Sequence, residues 1–288
     1  MPDSMTPWIL LSPSSKHEKH CMSYSSALTY KTCPRAYRLQ HVERKGKMRP
    51  DTQQASEGIL LHEMLNVLNR FRIHAGIYPP DLAPIVGHVL ERHAEKMTPA
   101  TKIKMQAMAT SLLELYARGV GSDLAPVMSE SEFLIEDPKS GMRIYGFVDI
   151  MTTDGVYDYK SSAVPIVDAG IHADQMHVYI LAYRAINGVW PASAGIINLT
   201  RIAKTVKMLP FHVDERFVST SLDNVLGIYY NVSAGKFEPR LGTWCRTCAF
   251  GADVNVCAEG WAIQSKVRHR GDRNRQPQAA NHQIRSSK

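Results

Sequence analysis

Asp149, Asp158 and Lys160 could do chemistry together, because they sit on two adjoining strand-like runs. In Tyr145-Gly-Phe-Val-Asp149-Ile-Met151 the alternation puts Tyr145, Phe147, Asp149 and Met151 on one face. Thr153-Asp154-Gly155 follows, and Asp-Gly between two such runs signals a hairpin. A two-residue turn sets Asp149 opposite Lys160, with Asp158 diagonally across, and a four-residue loop sets Asp149 opposite Asp158. Any even loop length keeps all three on one face. Two carboxylates and an ammonium so gathered make a site for a hard divalent cation. The alternative is a solvated sheet face carrying a surface salt bridge.

Cysteines form a second group. Of the five, Cys245-x2-Cys248-x8-Cys257 offers three thiolates near the C-terminus, and Cys33 can supply a fourth. Met1-Pro-Asp-Ser-Met-Thr-Pro lacks a basic leader region, and Trp8-Ile-Leu-Leu11 is too short for a signal core. No apolar run approaches the ~18 residues that span a bilayer. The expected location is the cytoplasm, with no membrane association, where clustered cysteines point to metal or catalysis rather than disulfides. Four thiolates suit a [4Fe–4S] cluster or a structural zinc. Zinc fingers more often use two Cys-x2-Cys knuckles, and one is present here. Cys21 reads as an ordinary thiol, and a set of scattered buried cysteines is the remaining alternative.

The elements that must hold these residues can be placed coarsely. At 288 residues and 44% hydrophobic, the chain can bury a full core as one domain. Helices are predicted near 23–40, 53–75, 81–97 and 100–118, then strands near 128–136, 142–151 and 156–161. A helix carrying Gln175 and Tyr179, one turn apart, stops at Asn187-Gly188. Strands near 194–200 and 206–213 and a helix near 215–233 lead to the cysteine knuckle. This order predicts an α/β fold with a mixed central sheet flanked by helices and an N-terminal helical portion. No internal repeat is evident.

Taken in order, Gly58-x3-His62, Gly146-x2-Asp149, Asp158-x-Lys160 and Gln175-x3-Tyr179 resemble the RecB-like branch of the PD-(D/E)XK nuclease superfamily. Ser23-Tyr-Ser25-Ser26-Ala-Leu28 followed by Cys33-Pro34-Arg-Ala-Tyr37 resembles the opening helix of that branch. The resemblance runs from about residue 23 to about residue 261 and implies a restriction-endonuclease-like core. It divides the chain into an extension (1–22), a nuclease domain (23–265) and a tail (266–288). The domain would hold a helical insertion at about 53–120 and a cysteine segment at 245–257. One early and three late cysteines resemble the iron–sulfur members, including CRISPR-associated RecB-like exonucleases and the AddB nuclease domain. In those, the cluster clasps the two ends of the domain.

The resemblance also implies roles. Asp149 and Asp158 would hold Mg²⁺ or Mn²⁺, joined by the carbonyl of Tyr159 and by His62, whose nitrogen shifts preference toward Mn²⁺. Lys160 would orient the attacking water, and Gln175 and Tyr179 would steady Lys160 and the substrate phosphate. Glu132 stands where the family often has an acid entering the sheet, although the sequence favours a charged strand-edge residue there. Asp158 replaces the glutamate of many relatives, a substitution within the superfamily pattern.

Charge bears on the partner. Residues 266–288 hold seven Lys/Arg (Lys266, Arg268, Arg270, Arg273, Arg275, Arg285 and Lys288) against Asp272, which is +6 of the formal +7. So polar a tail is expected to be disordered and to attract phosphates, or to serve solubility alone. The expected activity is that of a DNA exonuclease in recombination or end processing, acting on single- or double-stranded DNA. An endonuclease or CRISPR-adaptation processing enzyme shares every motif, and such a chain would pair with a recombination or adaptation protein. A catalytically silent DNA-binding module is the reading from another class, and RNA is a possible substrate.

Overall fold

The computed structural model describes residues 8–17, 21–49 and 52–273, with side chains of the last helix through Lys266. In chain order its main elements are β1 (Ile9–Leu11), β2 (Cys21–Met22), α1 (Tyr24–Thr32), α2 (Pro34–Tyr37) and α3 (Gln53–Ala75). Then come α4 (Ala83–Arg92), α5 (Pro99–Arg118), α6 (Val120–Asp123), β3 (Pro126–Glu136), β4 (Arg143–Thr152) and β5 (Gly155–Ser162). The order closes with α7 (Ala173–Asn187), β6 (Ser193–Thr200), β7 (Thr205–Phe211), α8 (Glu215–Ser233) and α9 (Ala258–Arg273). The α/β expectation holds: one mixed sheet lies between helices.

The strands follow the order β1-β3-β4-β5-β6-β7, with β5 and β6 parallel and β2 paired to β4. A parallel pair needs a crossover, and α7 supplies it. Alternation along the strands separates two cores. Tyr157, Tyr159, Ile197 and Leu199 join Leu61, Leu65 and Leu68 of α3 and Leu112 of α5. Their neighbours Val156, Ala194 and Ile196 join Ile180 and Leu181 of α7 and Leu222 of α8. The sheet therefore buries both faces, as its near-continuous apolar strands require.

The chain divides into two compact units, where the sequence suggested one domain. The first comprises residues 1–27 and 51–233 and contains the sheet. The second comprises 28–50 and 234–288, so an early and a late stretch of the chain share a unit with its own core of Ala36, Leu39, Met48 and Phe250. Within it the Tyr30 hydroxyl donates to Lys236 O at 2.7 Å and Ala249 N donates to Met48 O at 2.9 Å. Contacts this distant in sequence leave no local signature.

Three further expectations change. Residues read as a leading extension supply β1, antiparallel to β3, and β2, parallel to β4. The helix predicted over 23–40 breaks at Cys33, which is extended (φ −156°, ψ 111°) because Pro34 disfavours helical geometry before it and opens α2. In the tail expected to be disordered, α9 continues through Arg273, its Lys and Arg positions being good helix formers. Arg268, Arg270 and Arg273 are thus helical positions, while Arg275, Arg285 and Lys288 lie outside the described residues. Among the described residues no helix is long and apolar enough to cross a membrane.

Candidate active site

The pairing of β4 creates the site. One edge of β4 runs along β3 from Arg143 to Thr152. The other edge meets β2 at Arg143–Ile144 and β5 only at Ile150↔Tyr157 and Met151↔Val156. Between these contacts the strand edge is open. Continuing the register by one residue sets Asp149 opposite Asp158, the arrangement of a four-residue loop. The Asp149 carboxylate takes the next amide itself, accepting from Tyr159 N at 2.7 Å.

Each neighbour of Asp149 is held by a long-range element. His62 lies on α3, whose start is capped by the Thr52 side chain and whose end is Gly76 at φ 76°. Its Nδ1 stands 3.5 Å from Asp149 Oδ2 and 3.9 Å from Glu130 Oε1, and its ring packs edge-on to Tyr159 at 5.9 Å. The Tyr159 hydroxyl is fixed in a buried ring of hydrogen bonds. Asn69 Nδ2 donates to it at 2.7 Å, and it donates to Tyr116 OH at 2.8 Å. Tyr116 OH in turn donates to Asn69 Oδ1 at 3.0 Å. Gly146, three residues before Asp149, lets the Phe133 ring approach, since a Cβ there would sit 2.8 Å from it.

Asp158, 1% exposed, places Oδ2 2.6 Å from Lys160 Nζ, while Oδ1 has no hydrogen-bond partner among the described residues. Lys160 also donates to Gln175 Oε1 at 2.8 Å. A lysine can only donate, so the Gln175 amide must present its oxygen there and its nitrogen to Tyr179 OH, 3.0 Å away. Gln175 and Tyr179 thus form a relay from α7, braced by buried neighbours from Met176 to Tyr183.

Glu130 is the residue that the sequence reading missed. It falls between the pairs Ser129↔Ile150 and Ser131↔Val148, hence opposite Asp149, in a left-handed bend at φ 48°. Non-glycine residues adopt such geometry rarely, and often at functional sites. Glu132, the acid singled out instead, is directed elsewhere, pairing with Lys16 Nζ at 3.0 Å and accepting from Tyr145 OH at 2.7 Å.

Electrostatics and geometry make the cluster a candidate cation site. Burial, then the charge of Asp149, pushes Asp158 up to about 7 against the pull of Lys160. Burial and Asp149 push Glu130 up to about 7 as well. Burial also opposes ionisation of Asp149, but His62 and the Tyr159 amide outweigh it and hold its carboxyl below the usual range. Burial disfavours the His62 cation, yet the carboxylates raise its pKa overall. Among the described residues, His62, Glu130 and Asp149 are the one group of three whose ligand atoms all lie within 4.8 Å of one another. The partnerless buried oxygen of Asp158 beside them is what a bound cation would satisfy.

The cysteine set lies in the second unit. Cys33, Cys245, Cys248 and Cys257 are free thiols lining one pocket, without reaching the compactness of the acid group. Burial pushes the Cys248 thiol up, and amide hydrogen bonds from Gly251 and Phe250 pull it back. Gln264, buried on α9, donates to Cys245 O at 3.0 Å and Cys248 O at 2.8 Å, so it braces the knuckle. Cys21 is apart, in the first unit, its thiol donating to Lys16 O at 3.3 Å.

A crystal structure of a candidate exonuclease from Eubacterium rectale is similar in fold, with a TM-score of 0.55 at 14% identity over 82% of this chain and 92% of that one. A second, named SSO0001, gives a TM-score of only 0.33 at 12% identity over 68% of this chain and 85% of that one. No curated protein matches the chain in sequence. The family model of the PD-(D/E)XK nuclease superfamily, a group of metal-dependent phosphodiester hydrolases, matches residues 21–253. That span takes in the acid cluster, Lys160 and the Gln175–Tyr179 relay, and the chain belongs to the PD-(D/E)XK nuclease superfamily.

Proposed function

We propose that this protein is a RecB-like DNA exonuclease that hydrolyses phosphodiester bonds with Mg²⁺ or Mn²⁺ and carries a structural [4Fe–4S] cluster. The observation that carries the reading is the meeting of Glu130, Asp149, Asp158, His62 and Lys160 at the open edge of β4. A silent binding module would have no use for two carboxyls held near 7 and a half-buried, ion-paired lysine.

Asp149, Glu130 and His62 would hold the metal, with Asp158 and the Tyr159 carbonyl completing the set. When bound, the cation would supply Lewis acidity and lower the pKa of a coordinated water. Lys160, aimed by Asp158 and Gln175, would orient the attacking water and offset charge building on the phosphoryl oxygens. Tyr179 accepts from Gln175, which leaves its own proton to donate toward a substrate oxygen.

The four cysteines would hold the cluster. The Gly251 and Phe250 amides directed at Cys248 would stabilise its ligating thiolate against burial, and Gln264 braces the backbone of the knuckle. Sulfurs spread around a pocket suit a cluster, whose own atoms stand between the ligands, better than one zinc with bonds of ~2.3 Å. DNA is the proposed substrate and DNA end processing in recombination the proposed setting, with the basic positions Lys266 to Arg275 adding phosphate contacts. On this division the nuclease domain spans both compact units and its two ends meet at the cysteines.

Anaerobically purified protein, analysed for iron and incubated with linear and closed-circular DNA in Mg²⁺ and in Mn²⁺, tests the proposal. The expected result is iron-containing protein that releases nucleotides from a labelled end and leaves the circle intact. Nicking of the circle would mean an endonuclease, zinc without iron would remove the cluster, and no cleavage of any DNA would remove the reading.

A further inference from the structure

Phe147 is 42% exposed although it lies mid-strand, with Val148, Asp149, Ile150 and Met151 buried immediately after it. Strand alternation puts Tyr145, Phe147 and Asp149 on one face, so Phe147 and the acid of the proposed metal site are two strand residues, about 7 Å, apart along the backbone. All three line the same cleft, with Glu130 and Tyr24. The ring is also braced. Tyr145 meets it edge-to-face at 5.6 Å and 79°, and Tyr145 is anchored by its hydroxyl to Glu132 at 2.7 Å. The Lys16 ammonium, paired with Glu132 at 3.0 Å, stands 4.7 Å from the Tyr145 ring centroid and completes the brace.

An exposed aromatic costs hydration free energy unless something covers it, and a rigid ring beside a phosphodiester-cleaving site meets one apolar face of the substrate. That face is a base. A base inside a duplex is covered by its neighbours, whereas an unpaired base presents its π-face, and stacking on it tolerates any sequence. We propose that Phe147, braced by Tyr145, is the platform on which one unpaired base of the substrate stacks while the adjoining phosphate lies at Asp149. The proposal rests on the nuclease reading and deepens it, making single-stranded nucleic acid the preferred substrate.

Binding of a fluorescent single-stranded oligodeoxynucleotide, measured in EDTA so that nothing is cleaved, tests this. Phe147→Ala should weaken it about 5- to 140-fold, the range that ~1–3 kcal/mol of stacking per base gives, while blunt duplex binding stays unchanged. Phe147→Trp should bind like wild type. In an abasic scan of the oligonucleotide, one position should cost wild type the same factor and cost Phe147→Ala nothing more. Loss of less than about twofold, or the same loss with every abasic oligonucleotide, would overturn the platform and leave the nuclease reading standing. A change of oligomeric state in Phe147→Ala would assign the ring to a protein contact and also overturn it. Wild type that neither binds nor cleaves nucleic acid would remove both.

Discussion

Loading a divalent cation into the cluster around Asp149 should release protons and weaken steeply as pH falls below 7. Glu130 and Asp158 are both pushed up to about 7, by burial first and by the Asp149 charge second. A carboxyl must be ionised to bind metal, so each of these groups imposes a proton equilibrium on binding. For a group at about 7 the penalty is negligible at pH ~8, about twofold at 7 and about elevenfold at pH ~6. Two such groups together lower the affinity by up to about a hundredfold between pH ~8 and pH ~6. His62 acts in the same direction, because its pKa is raised and only the neutral ring can ligate. Calorimetric titration with Mn²⁺ in two buffers of different ionisation enthalpy counts the protons. One to two should be released per ion at pH ~6.5, falling toward zero at pH ~8. Glu130→Gln should release about one fewer. An affinity flat across this range, with heats independent of the buffer, would refute the arrangement of the cluster.

Three further outcomes follow from the same contacts. Asp158 has its folded pKa raised to about 7 from an ordinary 3.8, so its contribution to stability is complete below 3.8 and is lost as pH rises through 7. Asp158→Asn should therefore raise the melting temperature of metal-free protein by several degrees at pH ~8 and by only about a third as much at pH ~5, and equal shifts at both would contradict the linkage. Cys248→Ser should lose absorbance at ~400 nm and thermal stability, whereas Lys160→Ala and Cys21→Ser should lose neither. A Cys248→Ser protein as stable as wild type would end the idea of a cluster that ties the chain ends. Deleting residues 274–288 removes Arg275, Arg285 and Lys288. It should flatten the salt dependence of DNA binding by at most ~3 units of slope, and no flattening would make the tail a solubility device.

The acid–lysine trio was legible because strand alternation has a period of two, which keeps Asp149, Asp158 and Lys160 together for any even loop length. The register itself was not legible. Asp-Gly suggested a tight turn, but Gly155 opens β5, where a Cβ would lie 2.5 Å from Ser193 Oγ and 2.6 Å from Tyr157 OH. That glycine serves close packing against β6 rather than turn geometry. Gln175 and Tyr179 were readable from helical spacing, as was the stop at Gly188, which takes φ 76°. Glu130 and Glu132 share a face in any strand pattern. A left-handed bend at Glu130 and the capture of Glu132 by Lys16 separate them, and neither is written locally. The packing of 28–50 against 234–288 is equally non-local, although the Cys33–Pro34 break that begins it is a local consequence of proline.

The most direct measurement compares cleavage of end-labelled DNA by wild type and Asp149→Ala, with binding of the same DNA followed in EDTA. Asp149 touches His62, faces Glu130 and takes the Tyr159 amide, so its loss should unseat a cation held there and leave the cleft intact. Wild type should cleave only with Mg²⁺ or Mn²⁺, and Asp149→Ala should retain less than about a tenth of that rate while binding DNA as before. Cleavage by wild type without metal, or by Asp149→Ala above that level, would contradict a metal-dependent site centred on Asp149.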